Sequence, residues 1–249
     1  MTAFRPKSAA APGSLDLPAG QIHVWSIDLD PPSAEIERLG RDLAPDEWQR
    51  ANRFRFDRHR RQYVVGRGAL RHLLAAYLGT PPGQIHFTYG PRGKPFLAPP
   101  QAADGLQFNL SNSSDLALAA FVRGPEIGVD LEYLKPMSDL EKIAERFFSA
   151  SERAALRALP PEQKKEAFFN CWTRKEAYLK AVGEGLAARL DSFAVTLAPG
   201  DPPRMLTLDG DPRRAAAWSF HHLRPAADYI GALAIHPGTW QVATYAFAP

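Results

Sequence analysis

The stretch from Cys171 to Leu186 places charged residues on and beside the apolar face of a predicted helix. At about 100° of rotation per residue, one apolar stripe contains Phe168, Trp172, Leu179 and Val182. Lys175 lies inside this stripe, and Glu176 and Lys180 lie along its edge. Because charges beside a core are costly unless they are paired or bound to an ion, the pattern favours a functional site. A surface ion pair between Glu176 and Lys180, four residues apart, is the alternative.

The composition is that of an ordinary globular protein. The chain has 249 residues, of which 45% are hydrophobic and 23% charged, and this length allows one large domain or two lobes. The formal net charge is only +3, too small to indicate a nucleic-acid partner, although the sequence pI near 9.0 suits acidic or phosphate-bearing ligands. The single cysteine, Cys171, excludes an internal disulfide and a cysteine-based zinc site, and we expect it to have a packing role.

No apolar run is long enough to predict a membrane span. The first 20 residues lack the apolar core of a signal peptide, so we expect a flexible N-terminal tail over residues 1–20. These features predict a cytoplasmic protein without a membrane partner.

Two long helices are predicted, one in each half of the chain. The first begins near Asp57 and stops at Leu78–Gly79, and the second begins at Pro161 and is ended by Gly183 and Gly185. Two capping-box patterns predict shorter helices between them, at Ser138 with Glu141 and at Ser149 with Glu152. Strands are predicted over residues 21–29, within 106–122, over 126–133, and in five runs after Gly185 that end near Phe247.

Arginines cluster on the first long helix. Arg60, Arg67 and Arg71 share one face, and Arg58 and Arg61 stand near its positive N-terminus. Both a phosphate-binding cluster and a solvated arginine face remain open. The later Gly-Pro-Arg-Gly-Lys-Pro turn, which includes Lys94, could let the backbone approach a ligand, or it could be an ordinary loop.

Two carboxylates share one side of a predicted strand. Asp130 and Glu132 alternate with Val129 and Leu131 in Glu126–Tyr133, so both acids project to the same face. They repel each other unless a cation lies between them, although an exposed acidic face is the alternative. A third carboxylate from Glu176 would complete an all-oxygen site for Mg²⁺. The histidines lack the spacing of a metal motif, so we expect structural roles for His221, His222 and His236.

Taken together, Gly-Val-Asp-Leu-Glu at 128–132 and Trp-Thr-Arg-Lys-Glu-Ala-Tyr-Leu-Lys-Ala-Val-Gly-Glu-Gly-Leu at 172–186 resemble the signatures of 4′-phosphopantetheinyl transferases. The resemblance is to the monomeric, two-lobed type that activates surfactin synthetase. Further matches follow in the family's order: the Phe-Asp-Arg-His-Arg-Arg run, Gly-Lys-Pro, Phe-Asn-Leu-Ser-Asn-Ser, and Arg-Phe-Phe-Ser followed by Glu152. The likeness covers roughly residues 40–197.

This resemblance implies an α+β fold, a pseudo-dimer of two similar lobes, each a small, mainly antiparallel sheet packed on a long helix. The lobes would be residues 21–124 and 125–249, with coenzyme A in the cleft between them. Carried over by position, Asp130, Glu132 and Glu176 would bind Mg²⁺, in whose place Mn²⁺ also fits. Residues implied to contact coenzyme A are Arg58, Arg61, Gly93, Lys94, Pro95, Asn109, Ser111, Asn112, Lys175 and Lys180.

The implied reaction moves phosphopantetheine from coenzyme A to a serine of an acyl or peptidyl carrier protein and releases 3′,5′-ADP. Mg²⁺ and Lys180 would offset the growing negative charge, and Glu176 is the candidate general base, directly or through a metal-bound water. The expected partners are carrier proteins and coenzyme A, without nucleic acid, and the protein is expected to be a monomer.

One position departs from the family pattern. Asn112 stands where the family usually has a histidine that helps to hold a phosphate of coenzyme A, and asparagine cannot carry positive charge. Two other functions stay open at this point: a polyanion- or RNA-binding module built on the arginine-rich helix, and an inactive relative that binds coenzyme A without transfer.

Overall fold

The structure, a computed structural model, describes residues 7–10, 14–183 and 189–248. Its helices are α1 Ser33–Gly40, α2 Pro45–Ala51, α3 Asp57–Leu78, α4 Leu140–Phe147, α5 Ala150–Ala158, α6 Pro161–Val182 and α7 Pro212–Ala215. Its strands are β1 Lys7–Ala10, β2 Gln21–Asp28, β3 Phe87–Tyr89, β4 Pro95–Leu97, β5 Leu106–Ser113, β6 Leu116–Arg123, β7 Ile127–Tyr133, β8 Phe193–Val195, β9 Met205–Leu208, β10 Ser219–Leu223, β11 Tyr229–Ile235 and β12 Gln241–Ala248.

The described chain forms two compact units. The N-terminal unit contains the residues up to Gly124 together with 240–248, and the C-terminal unit contains residues 125–239. We expected residues 125–249 to form one lobe, but the last strand, β12, belongs to the N-terminal unit, because it pairs in parallel with β1 and β2. A tail over all of residues 1–20 was also wrong, since residues 7–10 form β1 and Leu17 is buried.

The N-terminal unit is built on a five-stranded sheet in the order β1-β12-β2-β6-β5. The pairs β2 with β6 and β5 with β6 are antiparallel, whereas the two pairs that involve β12 are parallel. A core of buried apolar residues joins the sheet to α3, and it includes Trp25 and Phe121 from the sheet and Leu70 and Leu74 from the helix.

Two of the arginines on α3 are buried. Arg67 Nε and Arg71 Nε lie 2.9 and 2.7 Å from the carboxylate oxygens of Glu47 on α2. Arg71 also donates to the carbonyl oxygens of Pro82 and Ile85. For these two side chains, both alternatives from the sequence, a solvated face and a phosphate-binding cluster, are wrong. A buried guanidinium must have its hydrogen bonds and charge satisfied within the protein.

The C-terminal unit contains a three-stranded antiparallel sheet, β10-β11-β7, packed on α6. Gly128 on β7 allows the closest approach of strand and helix. A Cβ atom at this position would lie 2.0 Å from the carbonyl oxygen of Ala177 and 2.4 Å from the amide nitrogen of Ala181. Only glycine therefore permits the observed distance between β7 and α6.

The ends of the helices follow the predicted signals in part. Gly79 and Gly183 adopt left-handed conformations after α3 and α6, as expected for helix C-termini, whereas Gly185 lies outside the described residues. The capping box of Ser149 and Glu152 is present at α5. The one predicted at Ser138 and Glu141 is not formed, because α4 begins at Leu140 and its N-cap is Asp139.

The predicted α+β fold class is confirmed: each unit combines a small sheet with one 22-residue helix, and antiparallel pairs predominate.

Cys171 is completely buried in the core of the C-terminal unit, and burial raises the pKa of its thiol well above the usual value. Within the described ranges, no helix is long and apolar enough to cross a membrane.

The substitution Gly128→Ala tests the close contact of β7 with α6. Because backbone atoms stand on both sides of the new methyl group, the strand and helix must separate, and we expect a loss of about 3 kcal/mol or more in the free energy of unfolding. Urea denaturation measures this loss. Gly66→Ala is the control, because its Cβ would lie 3.5 Å from the Leu29 side chain, an ordinary contact; equal destabilisation of both variants would contradict the prediction.

Candidate functional site

An acidic cluster lies where β7 faces α6 in the C-terminal unit. Gly128 faces the helix, so Asp130 and Glu132, two and four residues later on the strand, project toward the same side. Asp130 is only 4% exposed, whereas Glu132 is half-buried. The third carboxylate, Glu176, comes from α6, one residue before the contact at Ala177.

Lys180 supplies the positive charge of this cluster. Its Nζ donates a hydrogen bond to Asp130 Oδ1 at 2.6 Å. This contact differs from the surface pair between Glu176 and Lys180 that the helical spacing allowed. Glu176 forms no ion pair within the described part of the chain, so the ammonium group of Lys180 crosses from the helix to the strand.

The environment of Glu176 disfavours its charged form. Burial raises the pKa of Glu176 to about 7, and the negative charges of Asp130 and Glu132 act in the same direction, while Lys180 opposes them. Its Oε1 atom is buried and has no hydrogen-bond partner among the residues that the structure describes. A buried carboxylate oxygen without a partner is costly, so this atom is a candidate ligand for a cation or a proton acceptor.

The donor set suits a hard divalent cation, since Asp130, Glu132 and Glu176 offer only oxygen ligands and Mg²⁺ takes carboxylate oxygens together with water and phosphate. In the described ranges no group of three acidic, histidine or cysteine side chains already has the arrangement of a metal site. Lys180 lies against Asp130 at the place where a cation would also be attracted. The residues therefore fit the ion chemically, and Lys180 would have to share Asp130 with it.

Lys175 does not belong to this cluster. It is 0% exposed, and its Nζ donates to the carbonyl oxygens of Leu190 and Phe193 at 2.7 and 2.5 Å and pairs with Glu152 Oε2 at 2.9 Å. These three contacts use the three N–H donors of an ammonium group. The contact with a phosphate oxygen implied for Lys175 does not agree with this arrangement, because no donor remains for a ligand.

In the N-terminal unit, a cavity of about 190 Å³ brings together Gly93, Pro95 and Asn112. Gly93 has a φ of +80°, which a residue with a side chain rarely adopts. Arg50 and Arg67 also line this cavity, and Glu47 offsets the charge of Arg67. The buried arginine is held in place, since Arg67 donates to the Tyr89 hydroxyl at 2.8 Å and pairs with Glu47.

Five other residues of this unit that are implied to contact coenzyme A do not line this cavity. Asn109 and Ser111 are buried on the face of β5 opposite to Asn112, because successive side chains of a strand point to opposite sides. Lys94 Nζ lies 5.4 Å from the centre of the Phe96 ring. The two exposed arginines pair with carboxylates: Arg58 with Asp115 at 2.6 Å, and Arg61 with Asp30 at 3.9 Å.

The sequence did not indicate that Glu47, Glu152 and Arg50 contribute to these sites. Glu47 and Glu152 are the buried counterions of Arg67, Arg71 and Lys175; the sequence signal for each was a glutamate at the third position of a helix, which also caps that helix. Arg50 lines the cavity from α2, and no local pattern distinguishes it from the neighbouring arginines.

Comparison with known proteins gives concordant matches in both units. A sequence profile described as the 4′-phosphopantetheinyl transferase superfamily matches residues 126–234, and one described as 4′-phosphopantetheinyl transferase, N-terminal, matches residues 28–122. The chain is 46% identical to the 4′-phosphopantetheinyl transferase HetI of Nostoc sp., over 92% of this chain and 94% of that protein. It is 32% identical to the 4′-phosphopantetheinyl transferase Sfp of Bacillus subtilis, over 71% of this chain and 77% of that protein.

The substitution Lys175→Met tests the structural role of this lysine. Removing one partner of a buried ion pair leaves Glu152 charged and uncompensated, so we expect a loss of about 3–5 kcal/mol in the free energy of unfolding, measured by urea denaturation. Lys164→Met is the matched control on the same helix, because the partner of Lys164, Glu141, is exposed, and such pairs contribute about 1 kcal/mol or less. A Lys175→Met protein as stable as its control would contradict the assignment.

Proposed function

Because the chain belongs to the 4′-phosphopantetheinyl transferase superfamily, we propose that it transfers the 4′-phosphopantetheine group of coenzyme A to a serine of an acyl or peptidyl carrier protein. The transfer releases 3′,5′-ADP and depends on Mg²⁺, with Mn²⁺ as a substitute. The enzyme acts as a cytoplasmic monomer without nucleic acid. The observation that carries the proposal is the contact of Lys180 with Asp130 beside Glu132 and Glu176.

In this reaction the serine hydroxyl oxygen forms a bond to the phosphorus nearer the pantetheine. The bond from that phosphorus to the bridging oxygen breaks, and 3′,5′-ADP leaves with the bonding electrons. Glu176 accepts the serine proton, directly or through water, and this role is supported by its buried, unpartnered Oε1 atom. The ammonium group of Lys180 stabilises the charge that grows on the phosphate oxygens.

Asp130, Glu132 and Glu176 would hold the divalent cation. When bound, this ion neutralises the pyrophosphate and favours the departure of the leaving oxygen. In the free protein, the charge of Lys180 offsets part of the repulsion between the carboxylates. Lys180 would exchange its contact with Asp130 for a phosphate oxygen of the substrate.

The nucleotide end of coenzyme A is assigned to the cavity of the N-terminal unit. Asn112 donates a hydrogen bond to a phosphate there, Gly93 and Pro95 shape the wall, and Arg50 supplies positive charge. The ion pairs of Arg58 with Asp115 and of Arg61 with Asp30 are exposed, and such pairs are weak enough to be exchanged for a phosphate or for an acidic carrier protein. Lys94, Asn109 and Ser111 do not line this cavity, so they would contact coenzyme A outside it.

The reaction is tested by mixing the protein with apo carrier proteins, coenzyme A and Mg²⁺, and weighing the carriers by mass spectrometry. We expect a phosphopantetheine gain on at least one carrier, none on its Ser→Ala variant, and loss of the gain when EDTA removes the metal. Asp130→Asn, Glu176→Gln and Lys180→Met should each lower the rate by at least ~100-fold, because each removes charge from the reacting centre.

The controls for these variants are Glu162→Gln and Lys165→Met, which change exposed residues of the same helix and should keep the rate. Tight binding of coenzyme A without any mass gain on a broad set of carriers would instead identify an inactive relative. Binding of RNA in place of both would support a polyanion-binding module. A full rate in Glu176→Gln would contradict its role as base and metal ligand.

The substitution Asn112→His tests the departure from the family pattern. A histidine in this cavity adds positive charge below its pKa, so we expect a several-fold lower Michaelis constant for coenzyme A, with the gain increasing as the pH falls from 8 to 6. Steady-state kinetics across this pH range measure the effect. Gln163→His, at an exposed position of α6, is the control, and an unchanged Michaelis constant in Asn112→His would contradict the prediction.

A further inference from the structure

A second cavity, of about 340 Å³, opens in the C-terminal unit beside the edge strand β10. Asn170 and Arg174, four residues apart on α6, form one wall, and Phe220 with His221 and His222 form another. None of these five residues has a role in the proposed transfer. The cavity is therefore a separate feature of this unit.

The cavity lies on the other flank of α6 from the acidic cluster. Arg174 and Glu176 are two residues apart, which separates their side chains by about 200° around a helix. In the sheet, His222 pairs with Ala232, which pairs with Asp130, so His222 and Asp130 are separated by two strand spacings of roughly 4.8 Å each. The helix covers the central strand, and one group of polar residues lies on each side.

Arg174 is a buried cation without a carboxylate partner in the part of the chain that the structure describes. It is 2% exposed; its Nη1 donates to the carbonyl and hydroxyl oxygens of Thr196, and its Nε has no hydrogen-bond partner among the described residues. The other buried cations, Arg67, Arg71 and Lys175, each contact a glutamate within 2.9 Å. Arg174 is the exception among these four.

The positive charge of Arg174 persists at neutral pH. Burial lowers the pKa of its guanidinium to about 10, so the group stays protonated. Asp201, exposed on the loop that borders the cavity, raises the pKa of Arg174 but makes no ion pair with it. Glu166 and Asp201 both line the cavity, and Glu166 is already paired with Arg224 at 3.2 Å.

The two histidines and Asn170 that line the cavity are uncharged. Burial, together with the charges of Arg174 and Arg224, lowers the pKa of His222 to about 4. Burial also lowers the pKa of His221, so both rings are neutral and able to donate a hydrogen bond. Asn170 uses its Nδ2 to donate to the Leu197 carbonyl oxygen, while its Oδ1 is buried without a partner in the described chain.

We propose that this cavity binds one small oxyanion, of the carboxylate or phosphate class, which pairs with Arg174 and accepts a hydrogen bond from His222. A buried guanidinium that lacks a carboxylate is stabilised when a ligand oxygen replaces the water it has lost. The inference is independent of the proposed transferase reaction, because it uses none of the residues assigned to coenzyme A, the metal or catalysis.

The test is a titration of the full-length protein, labelled with ¹⁵N in its histidines, with inorganic phosphate and, separately, with acetate at constant ionic strength. We expect saturable shifts of the His222 ring resonances with at least one of the two anions, and the anion that saturates first identifies the preferred class. Lys180→Met should leave this titration unchanged, which separates it from phosphate bound at the transferase site.

Arg174→Met should weaken the saturable binding at least tenfold, whereas Arg174→Lys should retain much of it. The control is Arg157→Met, which changes an exposed arginine of the same unit and should not affect the binding. If neither anion produces a saturable change at His221 or His222 in the wild-type protein, the proposal is wrong. It is also wrong if a folded Arg174→Met protein binds as tightly as the wild type. The wild-type titration decides the matter even if Arg174→Met does not fold.

Discussion

Carboxylates from β7 and α6 repel one another, and Lys180 offsets part of this repulsion by donating to Asp130 at 2.6 Å. The arrangement requires that strand and helix lie unusually close, and Gly128 permits this because it has no Cβ atom. The same closeness buries Glu176 and raises its pKa to about 7. The packing of one glycine against one helix therefore sets both the geometry and the electrostatics of the acidic cluster.

Each unit also contains a buried glutamate that joins separate elements. Glu47 holds Arg67 and Arg71 of α3, and Glu152 holds Lys175 of α6 while it accepts a hydrogen bond from the amide nitrogen of Val195. Because buried ion pairs must have complementary geometry to be tolerated, these contacts fix the long helices in register with their surroundings. The long helices thereby hold their functional side chains in defined positions.

Charge on α6 serves three purposes that sequence spacing alone does not separate. Lys175 is internal and structural, Lys180 neutralises Asp130, and Arg174 lines a cavity without a carboxylate partner in the described chain. The three cations lie within two turns of one helix. What distinguishes them is the contact that each side chain makes: Glu152 and carbonyl oxygens for Lys175, Asp130 on β7 for Lys180, and Thr196 for Arg174.

Sequence patterns are enough to predict the two long helices, the α+β class, the family and the common side of Asp130 and Glu132, because periodicity, caps and motifs are local properties. The packing of the folded chain adds that β12 joins the first sheet, that Lys175 is internal, and that Asn112 lines a cavity while Asn109 and Ser111 face away from it. Which strand pairs with which, and which buried glutamate meets which cation, depends on residues far apart in the chain. No local pattern contains that information, since a strand or a charged side chain acquires its partner only when distant segments pack together.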